Sequence, residues 1–147
     1  LGFPVGYGTT SVSPYDLIAD YFRGATNMMK DLFRRKEKLL EMLEKARHIA
    51  SNAPEGTDAA SLIIEAYYDR YSYICRFDES VALACAFLRD RDILDEVSQA
   101  LSRSVDAPGY QLSPSTFYIR HLAAVLFWQA GETDAARAQL AKVGNVF

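Results

Sequence analysis

A chain of 147 residues has room for one domain, or for one domain with an attached arm. Half of it is hydrophobic and 24% is charged, with 8 Gly and 5 Pro, a balance that excludes a disordered or collagen-like chain. A net charge of −3 gives no reason to expect a nucleic-acid partner, because phosphate binding needs a clustered basic surface.

Residues 1–12, with Gly2, Gly6, Gly8 and the run Thr9-Thr10-Ser11, read as an irregular arm that Phe3 or Tyr7 would anchor. No other segment reads as a convincing strand to pair with it. A helix then starts with Ser13 as N-cap, Pro14 in the first position and Asp16 three residues on. Leu17, Ile18, Tyr21 and Phe22 form its apolar stripe, and Gly24 is the expected stop. Met28, Met29, Leu32 and Phe33 continue with helical spacing. The basic run Arg34-Arg35-Lys36-Glu37-Lys38 reads as a solvated helix junction, with an anion or membrane-surface patch as the alternative. Leu39, Leu40, Met42 and Leu43 fall in a second long helix over about Lys36–Ser51.

Asn52-Ala53-Pro54-Glu55-Gly56 cannot continue a helix and is the clearest break in the chain. It divides an N-terminal arm and helical segment, 1–51, from a helical bundle, 57–147, with one compact domain overall as the alternative. Beyond it, Thr57 or Asp58 caps a helix to about Arg76, Asp78 opens another, and Asp90 or Asp92 starts a third. Ala107-Pro108-Gly109-Tyr110 is a turn, and Ser113-Pro114 repeats the first cap signal. An apolar helix then runs to Ala130, Gly131 ends it, and Thr133 or Asp134 starts the last one, to Val143. The expectation is an all-α fold, an irregular bundle of about seven helices. Ile63, Tyr67, Tyr71, Leu122, Leu126 and Leu140 are its expected core.

Two helices carry more apolar surface than one buried face needs. In the first, Ile63, Ile64, Tyr67, Tyr71 and Ile74 share a face, with Leu62, Ala66, Tyr73 and Phe77 on the other side and Tyr68 between. Such a helix is central, or keeps a face for a partner. In the second case Tyr68, Arg70, Tyr73, Arg76 and Phe77 are the candidate ligand or partner groove. Arg70 and Arg76 would dress its rim, or pair with Asp69 and Asp78. The second helix holds Phe117, Tyr118, Leu122, Val125, Leu126, Phe127 and Trp128, which suit either the core or an oligomer interface.

The chemistry-bearing residues are sparse. His48, Cys75, Cys85 and His121 show no metal-ligand spacing, so no metal site is expected. With two His to act as base, no nucleophile–base pair stands out, and no catalytic residue is assigned. Cys75 and Cys85 could meet only across a turn, and reduced thiols in a cytoplasmic protein are the expectation. No apolar run nears the roughly 20 residues of a spanning helix, and no secretory signal is visible.

Ser13 to Gly24, with Met28 to Arg35, resembles one segment of the uroporphyrinogen decarboxylase superfamily, whose other main branch is the corrinoid-dependent methyltransferases. The likeness runs over residues 1–46, whereas the family's (β/α)₈ barrel needs roughly 250 residues. The decarboxylases carry a tetrapyrrole-contacting Tyr six residues after the Pro. Asp20 stands there, with Tyr21 one place later, and their Arg-rich motif and Asp loop have no counterpart. The methyltransferase branch is more similar over Arg23 to Arg35, but its zinc-binding His and Cys lie outside that segment. The resemblance implies a fragment of, or accessory to, such a methyltransferase, with a corrinoid or tetrapyrrole as ligand. Residues 117–143 resemble a tetratricopeptide-type helix hairpin, through Phe127, Gly131, Ala136, Leu140 and Val143. Ala123 and Ala124 stand where that repeat has bulky residues.

The residues by themselves favour a non-catalytic helical module, without cofactor, that binds another protein or a second copy.

Overall fold

The computed structural model describes residues 13–77 and 80–144. The expected arm of residues 1–12 and the expected opener Asp78 lie outside them. So do the side chains of Tyr21, Phe22, Met28, Met29, Leu32 and Phe33. Helix accounts for 81% of the structure, far above the roughly one-third of an ordinary domain, and no strand occurs among the described residues. The all-α expectation holds.

Helix α1 spans Pro14–Asn52 and opens where the cap signal places it, with the Ser13 carbonyl accepting from Asp16 and Leu17 N–H. It does not stop at Gly24. That residue is exposed, an added Cβ would meet nothing within 4 Å, and its φ is not positive. A glycine stops a helix by turning left-handed. Otherwise it costs about 1 kcal/mol, which strong helix formers on either side outweigh. The two expected helices, to Gly24 and from Lys36, are therefore one.

Two compact units divide the chain, Leu1–Glu37 and Lys38–Phe147. In the first, Leu17 and Ile18 are exposed, and Asp20 pairs with Arg23 at 2.8 Å in full solvent, a contact of little energetic weight. The expected junction at residues 34–38 is solvated throughout.

In the second unit the last turns of α1 bury Leu43, Ala46 and Ala50. The break after Asn52 is built from local bonds. Ser51 and Asn52 side chains return to the His48 carbonyl, and Gly56 takes φ 83° and donates its N–H to the Arg103 carbonyl. Arg103 Nη2 in turn reaches the Ala50 carbonyl at 2.5 Å, so the ends of two helices lock together. A 3₁₀ turn, Asp58–Ala60, leads into α2, Ser61–Phe77, which packs on α3, α4 and α5.

Helix α3, Val81–Leu88, is capped by Ser80, whose Oγ accepts from Leu83 N–H at 3.0 Å. Asp90 caps α4, Arg91–Arg103, by accepting from Asp92 N–H. Gly109 turns at φ 80°, and α5 runs Pro114–Gln129, with Ser113 N–H held by Thr116 Oγ1 at 2.9 Å. Gly131, φ 88°, closes α5 with paired bonds, Glu132 N–H to the Phe127 carbonyl and Gly131 N–H to the Trp128 carbonyl. Helix α6, Thr133–Gly144, then packs on α5.

Ile63, Tyr67, Leu122 and Leu126 are buried as expected, and Tyr71 is half-buried. Leu140 is not in the core; it is 44% exposed. The buried line of α6 is Ala136, Gln139 and Val143, which turns Leu140 away from the seam.

Candidate functional site

Two stripes of side chains line one concavity among the described residues. On α1, Met42, Lys45, Ala46 and Ile49 recur at helical spacing; on α2, Leu62, Glu65, Ala66 and Asp69 do the same. Tyr118 of α5 completes a groove of about 300 Å³. The buried alanines Ala46 and Ala66 have no bulk to fill it, while Met42, Ile49 and Tyr118 stand 40%, 46% and 54% exposed on its walls. Apolar side chains are thus left accessible around a depression, an arrangement that costs solubility unless something occupies it.

The charges along the groove are unbalanced. Among the described residues, neither Glu65 nor Asp69 takes part in a salt bridge within 4 Å. Desolvation, then the fields of Asp69 and Asp58, raises the Glu65 carboxyl above its ordinary range; desolvation raises Asp69. Tyr118 is raised as well, by desolvation and by the Glu65 and Asp69 charges beside it. A carboxyl raised on folding contributes stability below its ordinary value, and loses that contribution as pH rises through the folded value. At neutral pH the half-buried Glu65 carboxylate is therefore held against stability, while solvent screens much of the effect at exposed Asp69.

On another side of α1, Arg47 makes a two-pronged bond to Glu96 of α4, Nε and Nη2 each at 2.8 Å. Nη2 also donates to Tyr67 Oη, and Tyr67 donates to Glu96. Burial, then the Glu96 bond, pushes the Tyr67 hydroxyl up to about 12. The Arg47 bonds outweigh desolvation and hold Glu96 below its ordinary 4.5. Beside this cluster lies a cavity of about 150 Å³ that Gln99 and Arg103 also line. Because each polar group has its partner, the cluster joins α1, α2 and α4.

Its pH behaviour has the opposite sign to that of the groove. A carboxylate lowered on folding contributes fully above 4.5 and loses that contribution as pH falls through the folded value. Glu96→Gln is expected to cost about 1–3 kcal/mol at pH 7. The deficit relative to wild type should shrink below about pH 4.5 in urea titrations. A deficit independent of pH would show that packing, not charge, is what the substitution removes.

The residues of the groove expected on α2 are placed otherwise. Arg70 lies over the Phe87 ring at 4.8 Å, a cation–π contact, so its charge faces α3. Tyr73 and Phe77 pack as a tilted ring pair at 4.9 Å, and Tyr68 pairs with Tyr71 at 6.2 Å. Arg76 is exposed. Helical geometry puts Tyr68 about half a revolution from Phe77, so the five do not share one face. The groove lies one turn and more toward the start of α2. Its signal is present in the repeated spacing of 42, 45, 46 and 49 against 62, 65, 66 and 69, but which helices become neighbours is not.

His121 Nδ1 lies 2.7 Å from the Phe117 carbonyl, and His48 faces Asn52. Cys75 and Cys85 are free and half-buried, with Cys85 Sγ 3.5 Å from Gln129 Oε1. Among the described residues no group of three or more His, Cys, Asp or Glu is placed to hold a metal ion.

No family model, curated protein or solved structure matches this chain. No helix among the described residues is long and apolar enough to cross a membrane. The reading of function therefore rests on the groove.

Proposed function

We propose that this protein is a non-catalytic helical module that binds another protein through the groove between α1 and α2. The observation that carries the reading is the accessible apolar wall of Met42, Ile49 and Tyr118 over the alanine floor. A groove between two helices receives a third helix by the packing that builds the bundle itself. Two further features support a scaffold role. The α5–α6 hairpin has Gly131 at its turn and Ala136 in its seam, as the resemblance to a tetratricopeptide-type pair implies, although Leu140 points away from that seam. A second apolar shelf, with Val125, Trp128 and Leu140, gives that hairpin an outward surface of its own.

The test is site-specific photo-crosslinking in cells. A benzophenone amino acid at Met42 or Tyr118 should give one discrete protein adduct, and at exposed Leu112 none. No adduct at either groove position, or an equal one at Leu112, would overturn the reading. So would a corrinoid or porphyrin absorption band in the purified protein, which would favour the methyltransferase-related alternative.

A further inference from the structure

We infer that the occupant of the α1–α2 groove is an amphipathic helix that inserts a Lys or Arg between apolar side chains. The inference deepens the interaction-module reading and rests on it. Groove length comes first. The lining runs from Met42 to Ile49 on one wall and from Leu62 to Asp69 on the other. Seven residues of helix rise about 10 Å, two turns, which matches the contact length of a helix presenting residues at i, i+4 and i+7.

Chemistry comes second. Glu65 and Asp69 are one turn apart on α2, a like-charge spacing that opposes the helix in the free protein. Both border an apolar depression, and among the described residues neither has a cation within 4 Å. A guanidinium or ammonium entering between them would relieve the repulsion and replace lost water with charge-assisted hydrogen bonds. The Tyr118 ring beside them adds a face for the same cation and an apolar surface for its stem. Lys45, on the opposite wall, is the groove's own positive charge and sets the polarity across it. An acidic occupant would be attracted by one group and repelled by two, whereas a basic one is attracted by two carboxylates and repelled by one cation.

The test uses the full chain and two labelled synthetic 18-residue helices with identical leucine positions, one with lysines on its polar face and one with glutamates. Fluorescence anisotropy should show the lysine helix binding at least about tenfold tighter, a difference that shrinks as salt rises. Glu65→Gln with Asp69→Asn should bring the two peptides within about twofold, while Glu55→Gln with Asp95→Asn, outside the groove, should not. Circular dichroism of the variants controls for folding, and the groove variant should melt no lower than wild type.

Equal binding of both peptides, lost in Tyr118→Asp, would overturn the cationic occupant and leave the apolar groove standing. A lysine preference that survives Glu65→Gln with Asp69→Asn would also overturn it, because attraction to the whole protein would then suffice. Binding of neither peptide overturns it too, and crosslinking separately decides whether the groove binds protein at all.

Discussion

Leu126→Ala is expected to destabilise the protein by about 2–5 kcal/mol and lower Tm by roughly 5–20 °C. Leu126 is fully buried, in the middle of α5, the helix that packs on α2, α3 and α6 at once. Removing its isobutyl group loses transfer free energy and leaves a void in the buried core. Neighbours fixed by several partners collapse little into such a void, which places the cost toward the upper part of the range. Leu140→Ala is the control, an identical chemical change on the partly exposed face of α6, expected within about 1 kcal/mol of wild type. Thermal and urea unfolding of both variants decide it. Equal effects at the two positions would mean that burial of α5 is not what holds the bundle together.

Arg120→Met is expected to cost about 3–5 kcal/mol, although it preserves much of the side-chain volume. Arg120 is 7% exposed. Its guanidinium reaches Asp106 at 2.7 Å, Gln139 at 2.8 Å and the Val105 carbonyl at 2.9 Å. Gln139 Nε2 donates to Asp106 Oδ2, and Lys142 reaches Oδ1 from outside. This closed network ties the turn after α4 to α5 and α6, and it explains why Gln139 faces inward. Burial alone would raise the Asp106 carboxyl, but the bonds from Lys142, Arg120 and Gln139 outweigh it, and the net direction is down.

Without Arg120, Asp106, Gln139 and the Val105 carbonyl lose a donor in a place water reaches poorly. A carboxyl lowered on folding contributes above its ordinary value and loses that contribution as pH falls through the folded value. The Arg120→Met deficit should therefore be largest near neutrality and narrow below about pH 4. Adding Gln139→Leu should cost less than the sum of the single changes, because both act on one network. A penalty below about 0.5 kcal/mol for Arg120→Met would remove the network from the list of what stabilises the fold.

Local chemistry is legible in the chain itself. Ser13-Pro14, Asp90 and Ser113-Pro114 mark helix starts because their bonds reach only a few residues along the backbone. Gly109 and Gly131 mark turns because a positive φ is a property of one residue. Ile63, Tyr67, Leu122 and Leu126 fall on buried faces because their period matches the helix. Gly24 misleads for the same reason in reverse. Glycine permits a stop without imposing one, and continuation depends on the cooperative stability of the turns on its C-terminal side.

Which face of an apolar helix is covered was decided by tertiary structure alone. Helix α5 is apolar most of the way round, and only the packing of α2, α3 and α6 separates buried Leu122, Leu126 and Phe127 from exposed Tyr118, Val125 and Trp128. Arg47 and Arg120 sit on apolar stripes where sequence periodicity would place a hydrophobe. Their partners are 49 residues away at Glu96 and 14 away at Asp106. The groove arises in the same way, from two stripes that are ordinary on their own helices and form a site once α1 and α2 lie side by side. Caps and turns are set by interactions within one or two turns of chain. Partner choice for a buried charge, and the meeting of two faces, depend on contacts whose sequence separation carries no local signal.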